Sequence, residues 1–290
     1  MTATSKQSSI ASPHWFSKVP SKAWAEKFYL LYSPFWIGVF SLAVITEEYK
    51  KWADLEFFIL GLIVSLPCVI VPMLFPCAAD RDKPWYERYW VKANIWIALF
   101  GFVGNYFWTH YFFVLLRATY RFPVDFRLNE VPVMLYFITH AYFMTYHAAT
   151  TPILRRFWSS YAPTAPGKRQ PLGKIVGSIV IIAAMSYFTA FMEAWTLEKV
   201  PYYHIENREQ MYLIGSTFYM LYFVVSFPMF TRIDETNDGQ KWSLSRSALE
   251  ALGSAMIVFI LCDFWRLIIG SITGDTAAQA KPFLGAHGRI

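Results

Sequence analysis

Residues 211–230 read MYLIGSTFYMLYFVVSFPMF, twenty positions without a charged side chain. An α-helix rises about 1.5 Å per residue, so about 20 apolar residues cross the roughly 30 Å hydrocarbon core of a bilayer. This stretch therefore predicts a membrane-spanning helix. On either side of it six more stretches reach that length: 28–45, 55–79, 93–116, 131–149, 175–197 and 248–270. The second carries Pro67, Pro72 and Pro76, which predict a kink or an early end near Leu74. None shows the sustained period-two alternation of spanning strands. The sequence thus predicts an all-α, polytopic membrane protein. A polar tail over 1–27 precedes a seven-transmembrane-helix bundle over 28–270, and a C-terminal tail covers 271–290.

Composition agrees. Of 290 residues, 56% are hydrophobic, 19% aromatic and 16% charged, against roughly 45–50% apolar and about 25% charged in soluble domains. That excludes an ordinary cytosolic globule, a disordered chain and a nucleic-acid-binding module. The net charge of +6 then reads as cationic loops beside a bilayer. Lys and Arg number 16 in the N-terminal tail and the loops after spans two, four and six, and 9 on the other side. The positive-inside rule predicts a cytosolic N-terminus and a C-terminus outside or in a lumen. A G-protein-coupled receptor needs the opposite orientation, and a retinal protein needs a lysine that the last span lacks. Residues 1–27 hold four lysines and no apolar core, so no cleaved signal peptide is expected and the first span targets the chain. Cys68, Cys77 and Cys262 lie in apolar stretches without CxxC spacing, which predicts neither disulfides nor zinc.

Polar groups within the spans carry the functional signal, because each is costly in hydrocarbon. Asn94, Gly101, Asn105 and Thr109 follow at spacings of 7, 4 and 4, one helical face, with Trp108 and Phe112 beside them and His110 one residue round. His140 and His147 are two turns apart. Glu193 shares a stripe with Ser186 and Thr189, and Asp263 and Arg266 form an i,i+3 pair able to touch. Interhelical hydrogen bonding accounts for the Asn and Thr stripe equally well, and Asp263 with Arg266 can simply neutralise each other. Glu193 is the hardest to dismiss, since a carboxyl taken out of water favours its neutral, proton-donating form. Trp96, Phe107, Trp108, Tyr136, Tyr142, Tyr146, Tyr187 and Tyr219 lie too deep for an interfacial belt and suit a cavity for a large, flat, apolar ligand. No GxGxxG, P-loop, CxxCH or di-iron histidine cluster occurs, so no cofactor is expected. Acid–base chemistry, passive binding and transport remain.

The runs KFYLLYSPFW (27–36), RYWVKANIWI (88–97), GNYFWTHYFF (104–113), VSFPMF (225–230) and DFWRL (263–267) resemble the cycloeucalenol cycloisomerase family. The likeness extends in order from Pro20 to Gly270 and includes PYYHI (201–205) and WSLSR (242–246). It implies a membrane-bound, cofactor-independent isomerase that opens the 9β,19-cyclopropane ring of cycloeucalenol to give obtusifoliol. Its partners are then a cyclopropyl sterol and the lipid bilayer, with no nucleic acid. Its location is the endoplasmic reticulum, or the inner membrane of a sterol-making bacterium. Such a reaction needs a proton delivered to C19, a cation developing near C9 and a proton lost from C8. Glu193 is the expected donor. Asp263, paired with Arg266, is the expected base or reprotonating group, His110 is an alternative acid oriented by Asn105, and His147 relays protons from the cytosol. Trp108, Phe112, Tyr136 and Tyr187 are expected to face the cation, and His140 and Arg266 to contact substrate. A non-catalytic sterol binder or lipid transporter, or a sterol double-bond isomerase, fits the same residues.

Overall fold

The computed structural model describes residues 12–162, 164, 168–198, 200, 202–235 and 241–271. The expectations for the C-terminal tail, Lys281 and Arg289 included, lie outside them apart from Ser271, as do those for residues 1–11. The chain is mostly helical: α1 Pro20–Ile45, α2 Asp54–Ser65, α3 Pro67–Leu74, α4 Tyr89–Val103, α5 Thr109–Leu115, α6 Val133–Trp158, α7 Leu172–Leu197, α8 Arg208–Gln210, α9 Ser216–Thr231 and α10 Leu244–Ile268. π-Helical turns at Gly104–Trp108 and Met211–Gly215 join α4 to α5 and α8 to α9. Strands are confined to the loops and are two or three residues long. β1 (Ala118–Tyr120) pairs antiparallel with β4 (Tyr203–Ile205), and β2 (Arg127–Leu128) with β3 (Val131–Pro132).

Among the described residues four helices are long and apolar enough to cross a membrane: Pro20–Ile45, Leu172–Leu197, Arg208–Thr231 and Leu244–Ile268. The pair α2 and α3, bent by 43°, makes a fifth if counted as one broken span. The segments 89–115 and Val133–Trp158 fall short of that apolarity despite their length. They lie centrally and spend Asn94, Asn105, Thr109, Thr139, His147, Thr150 and Thr151 on the interior, all buried. Lipid-facing helices read as apolar, whereas interior ones can afford polar side chains that find partners.

Proline explains the bend. Pro67 and Pro72 have no N–H to give the carbonyls four residues earlier, Ile63 and Cys68. Tyr32 donates to the Ile63 carbonyl at 3.5 Å and to Val64 at 2.8 Å, while Asn94 Nδ2 donates to the Cys68 carbonyl at 3.2 Å. Asn94 Oδ1 in turn accepts from His140 Nε2 at 2.7 Å. One polar clasp thereby binds α1, α3, α4 and α6.

The tail ends sooner than the sequence suggests, because α1 begins at Pro20, a residue whose fixed φ suits the first helical turn. Lys22 and Glu26 are buried rather than solvated. Arg155, at the end of α6, donates to Glu26 and to Glu235, which follows α9. Lys22 reaches Glu235 at 2.6 Å and the carbonyls of Thr231 and Ile233, and Lys92 meets Asp234 at 2.7 Å. Burial alone pushes the Glu235 carboxyl up, but the hydrogen bonds from Arg155 and the charge of Lys22 outweigh it and hold it below its ordinary 4.5. Breaking one member of such a buried set costs about 3–5 kcal/mol.

Candidate active site

At the opposite end of the bundle a cavity opens between α6, α7, α9 and the two π-helical turns, roofed by β1 and β4. Its cavity volume is about 40 Å³. Small-ligand sites run to about 300–1,000 Å³, so a polycyclic ligand fits only once lining side chains shift. Tyr120 and Tyr203 are register partners across the roof, with ring centroids 5.5 Å apart. Phe112, Tyr142, Phe143, Tyr219 and Tyr222 line the walls. Both π turns contribute, through Gly104 and Asn105 and through Met211. Extra residues of this kind re-aim side chains and recur at functional sites.

Glu193 projects into this space from α7. The helix buries Ser186, Thr189, Ala190 and Ala194, a face of small residues that packs against α9 and sets Glu193 at its edge. The Tyr219 hydroxyl donates to Glu193 Oε1 at 2.8 Å. Oε2 is sealed from solvent and has no hydrogen-bond partner among the described residues. The hydroxyls of Tyr142 and Tyr146 interact with the carboxyl from nearby. On the facing wall Asn105 Nδ2 donates to the Gly101 carbonyl and to Thr139 Oγ1, both at 2.9 Å, and Thr139 Oγ1 lies 2.9 Å from the Tyr142 hydroxyl. Gly101 permits this approach of α4 to α6, since a Cβ there would stand 3.3 Å from Thr139 Cγ2. Among the described residues Glu193 is the one carboxyl on the lining, and no Lys, Arg or His joins it.

The structure thus gathers Glu193, Asn105 and Phe112 and leaves the other expected residues elsewhere. Asp263 is ion-paired with Arg266 at 2.8 Å near the end of α10, but its side chain is 42% exposed and turned away from the cavity. An i,i+3 spacing guarantees the pair, not the direction it faces. His147 is fully buried off the cavity lining, with Nδ1 bonded to the Phe143 carbonyl and Nε2 to Ser226 Oγ. His110 packs edge-on against Phe113 off the lining, and His140 belongs to the Asn94 clasp. Trp108 is sealed between Phe100 and Tyr222, a core residue. Tyr136 and Tyr187 donate to the Leu128 and Tyr212 carbonyls, away from the lining. Sequence reasoning missed Tyr120 and Tyr203, which sit in loops where no helical face exists to read. It picks out Tyr142 and Tyr219 only as deep aromatics, and it does not single out Thr139. Among the described residues no three His, Cys, Asp or Glu side chains meet as metal ligands do.

No protein-family model and no solved structure matches the chain. A curated relative, cycloeucalenol cycloisomerase of Arabidopsis thaliana, is 44% identical over 259 residues, which is 89% of this chain and 90% of the relative. With identity at that level over nearly the whole length of both, the chain belongs to the cycloeucalenol cycloisomerase family.

Proposed function

We propose that the chain isomerises 9,19-cyclopropyl sterols, opening the ring of cycloeucalenol to give obtusifoliol with Glu193 as proton donor. The observation that carries this reading is the Glu193 carboxyl itself, set in an aromatic cavity with one oxygen held by Tyr219 and the other without a hydrogen-bond partner among the described residues. In its acid form, with Oε1 accepting from Tyr219, Glu193 carries its proton on Oε2. That proton passes to C19, the C9–C19 bond supplies the electron pair, and positive charge develops at C9. Ring faces such as those of Phe112, Phe143 and Tyr222 stabilise the cation by about 0.5–2 kcal/mol each without trapping it. Loss of the C8 proton then forms the C8–C9 double bond. One proton enters and one leaves, so nothing is oxidised. Among the described residues no second carboxyl and no imidazole lines the cavity, so the carboxylate left on Glu193 serves as the base in this reading, in place of Asp263.

Seven spans and a cytosolic N-terminus belong to the same reading. Both the charge bias of 16 to 9 and the buried ion network support it, because that network ties the starts of α1 and α4 to the ends of α6 and α9 at one face. The cavity then lies toward the outer or lumenal side, in the endoplasmic reticulum of a eukaryote or the inner membrane of a sterol-making bacterium. The test is conversion of cycloeucalenol by purified protein in lipid nanodiscs with no added cofactor. Obtusifoliol is expected, and deuterium placed at C8 should partly return in the C19 methyl group. Sterol bound but unchanged would sink the proposal in favour of a carrier.

A further inference from the structure

The cavity wall facing Glu193 contains a hydrogen-bond chain whose direction is fixed by the backbone. A carbonyl can only accept, so the Asn105 atom on the Gly101 carbonyl is Nδ2, and the same nitrogen donates to Thr139 Oγ1. Thr139 is 2% exposed and its hydroxyl has a single proton. Were Tyr142 to donate into Thr139, that proton would be buried with no acceptor. Thr139 therefore donates to the Tyr142 oxygen at 2.9 Å, and the Tyr142 proton is left for the cavity, where Glu193 is the acceptor that it interacts with. Tyr219 donates to the same carboxyl from the other side.

We propose that Asn105, Thr139 and Tyr142 are positioning residues that aim the Tyr142 hydroxyl proton at Glu193, so that the anion formed on proton transfer to the sterol meets a prepared donor beyond Tyr219. The inference rests on Glu193 being the acid. The Gly101 carbonyl is the anchor, and the amide of Asn105, which neither gains nor loses a proton here, makes the chain one-way. Such a donor acts when charge appears on Glu193 and not when substrate binds, so it belongs to turnover and not to affinity.

Thr139→Val keeps the shape and removes the link, whereas Thr139→Ser keeps the hydroxyl. In nanodiscs with cycloeucalenol, Thr139→Val is expected to lower kcat by about tenfold or more with KM within about twofold, and Thr139→Ser to restore kcat. An unchanged kcat in Thr139→Val, or a rise in KM alone, overturns the proposal, the latter because it marks a plain substrate contact. If Thr139→Val does not accumulate as folded protein, Tyr142→Phe cuts the chain at its last link and is judged by the same split. Glu193→Gln measured beside them separates the two ideas. Full turnover in Glu193→Gln removes the acid and the chain together, while an inactive Glu193→Gln beside a fully active Thr139→Val removes the chain alone.

Discussion

The two ends of the bundle treat charge in opposite ways. At the end joining α1, α6 and the segment after α9, Lys22, Glu26, Lys92, Arg155, Asp234 and Glu235 leave water, and each meets an opposite charge. At the other end, among the described residues, a single carboxyl faces a cavity, with one oxygen held by a tyrosine and the other without a hydrogen-bond partner. Both arrangements cost desolvation, and they differ in what offsets it. The paired set returns that cost as fixed geometry between helices that are far apart in sequence. The lone carboxyl returns nothing to stability, and a group kept unsatisfied at a cavity wall is placed for chemistry.

The largest way to test this contrast is to remove the proton without the shape. Glu193→Gln should lower turnover by about 10²- to 10⁴-fold, the usual contribution of a positioned acid, with the yield of folded protein unchanged. A fall in yield equal to the fall in activity would make Glu193 structural and erase the distinction. The converse is Arg155→Met, which strands Glu26 and leaves Glu235 to Lys22. It should destabilise the protein by about 3–5 kcal/mol in thermal or detergent unfolding, while molecules that remain folded keep their turnover. Tyr219→Phe is smaller and sharper. It removes the donor to Oε1 and should reduce kcat by about 10- to 100-fold with little change in unfolding temperature, the worth of one hydrogen bond to a charged group. Asp263→Asn should do least. Its side chain lies off the cavity lining, so turnover per folded molecule should stay near wild type. A catalytic defect there would restore Asp263 as the base.

These predictions also show which parts of the site could be read in advance. Glu193 stood out because a carboxyl in an apolar run is expensive wherever that run folds, and Asn105 and Phe112 because helical spacing put them on one face. The same logic failed for Asp263, His147 and Trp108. Spacing fixes which side chains share a face, but the neighbours of that face decide whether it meets a cavity, lipid or packed core. The ion network was equally hidden. Lys22 and Glu26 read as a solvated tail until Arg155 and Glu235, more than a hundred residues away, came to meet them.

The sequence by itself determined a helical, membrane-embedded chain, a proline kink or early end in its second apolar stretch, the positions of the polar exceptions and, through its aromatic runs, the family. Those properties are local, set by apolar length, backbone chemistry and residue order. Only the tertiary structure decided that Tyr120 and Tyr203 roof the cavity from two loops, and that one oxygen of Glu193 is held while the other waits. Both depend on the approach of segments distant in the chain, which no periodicity within one segment encodes.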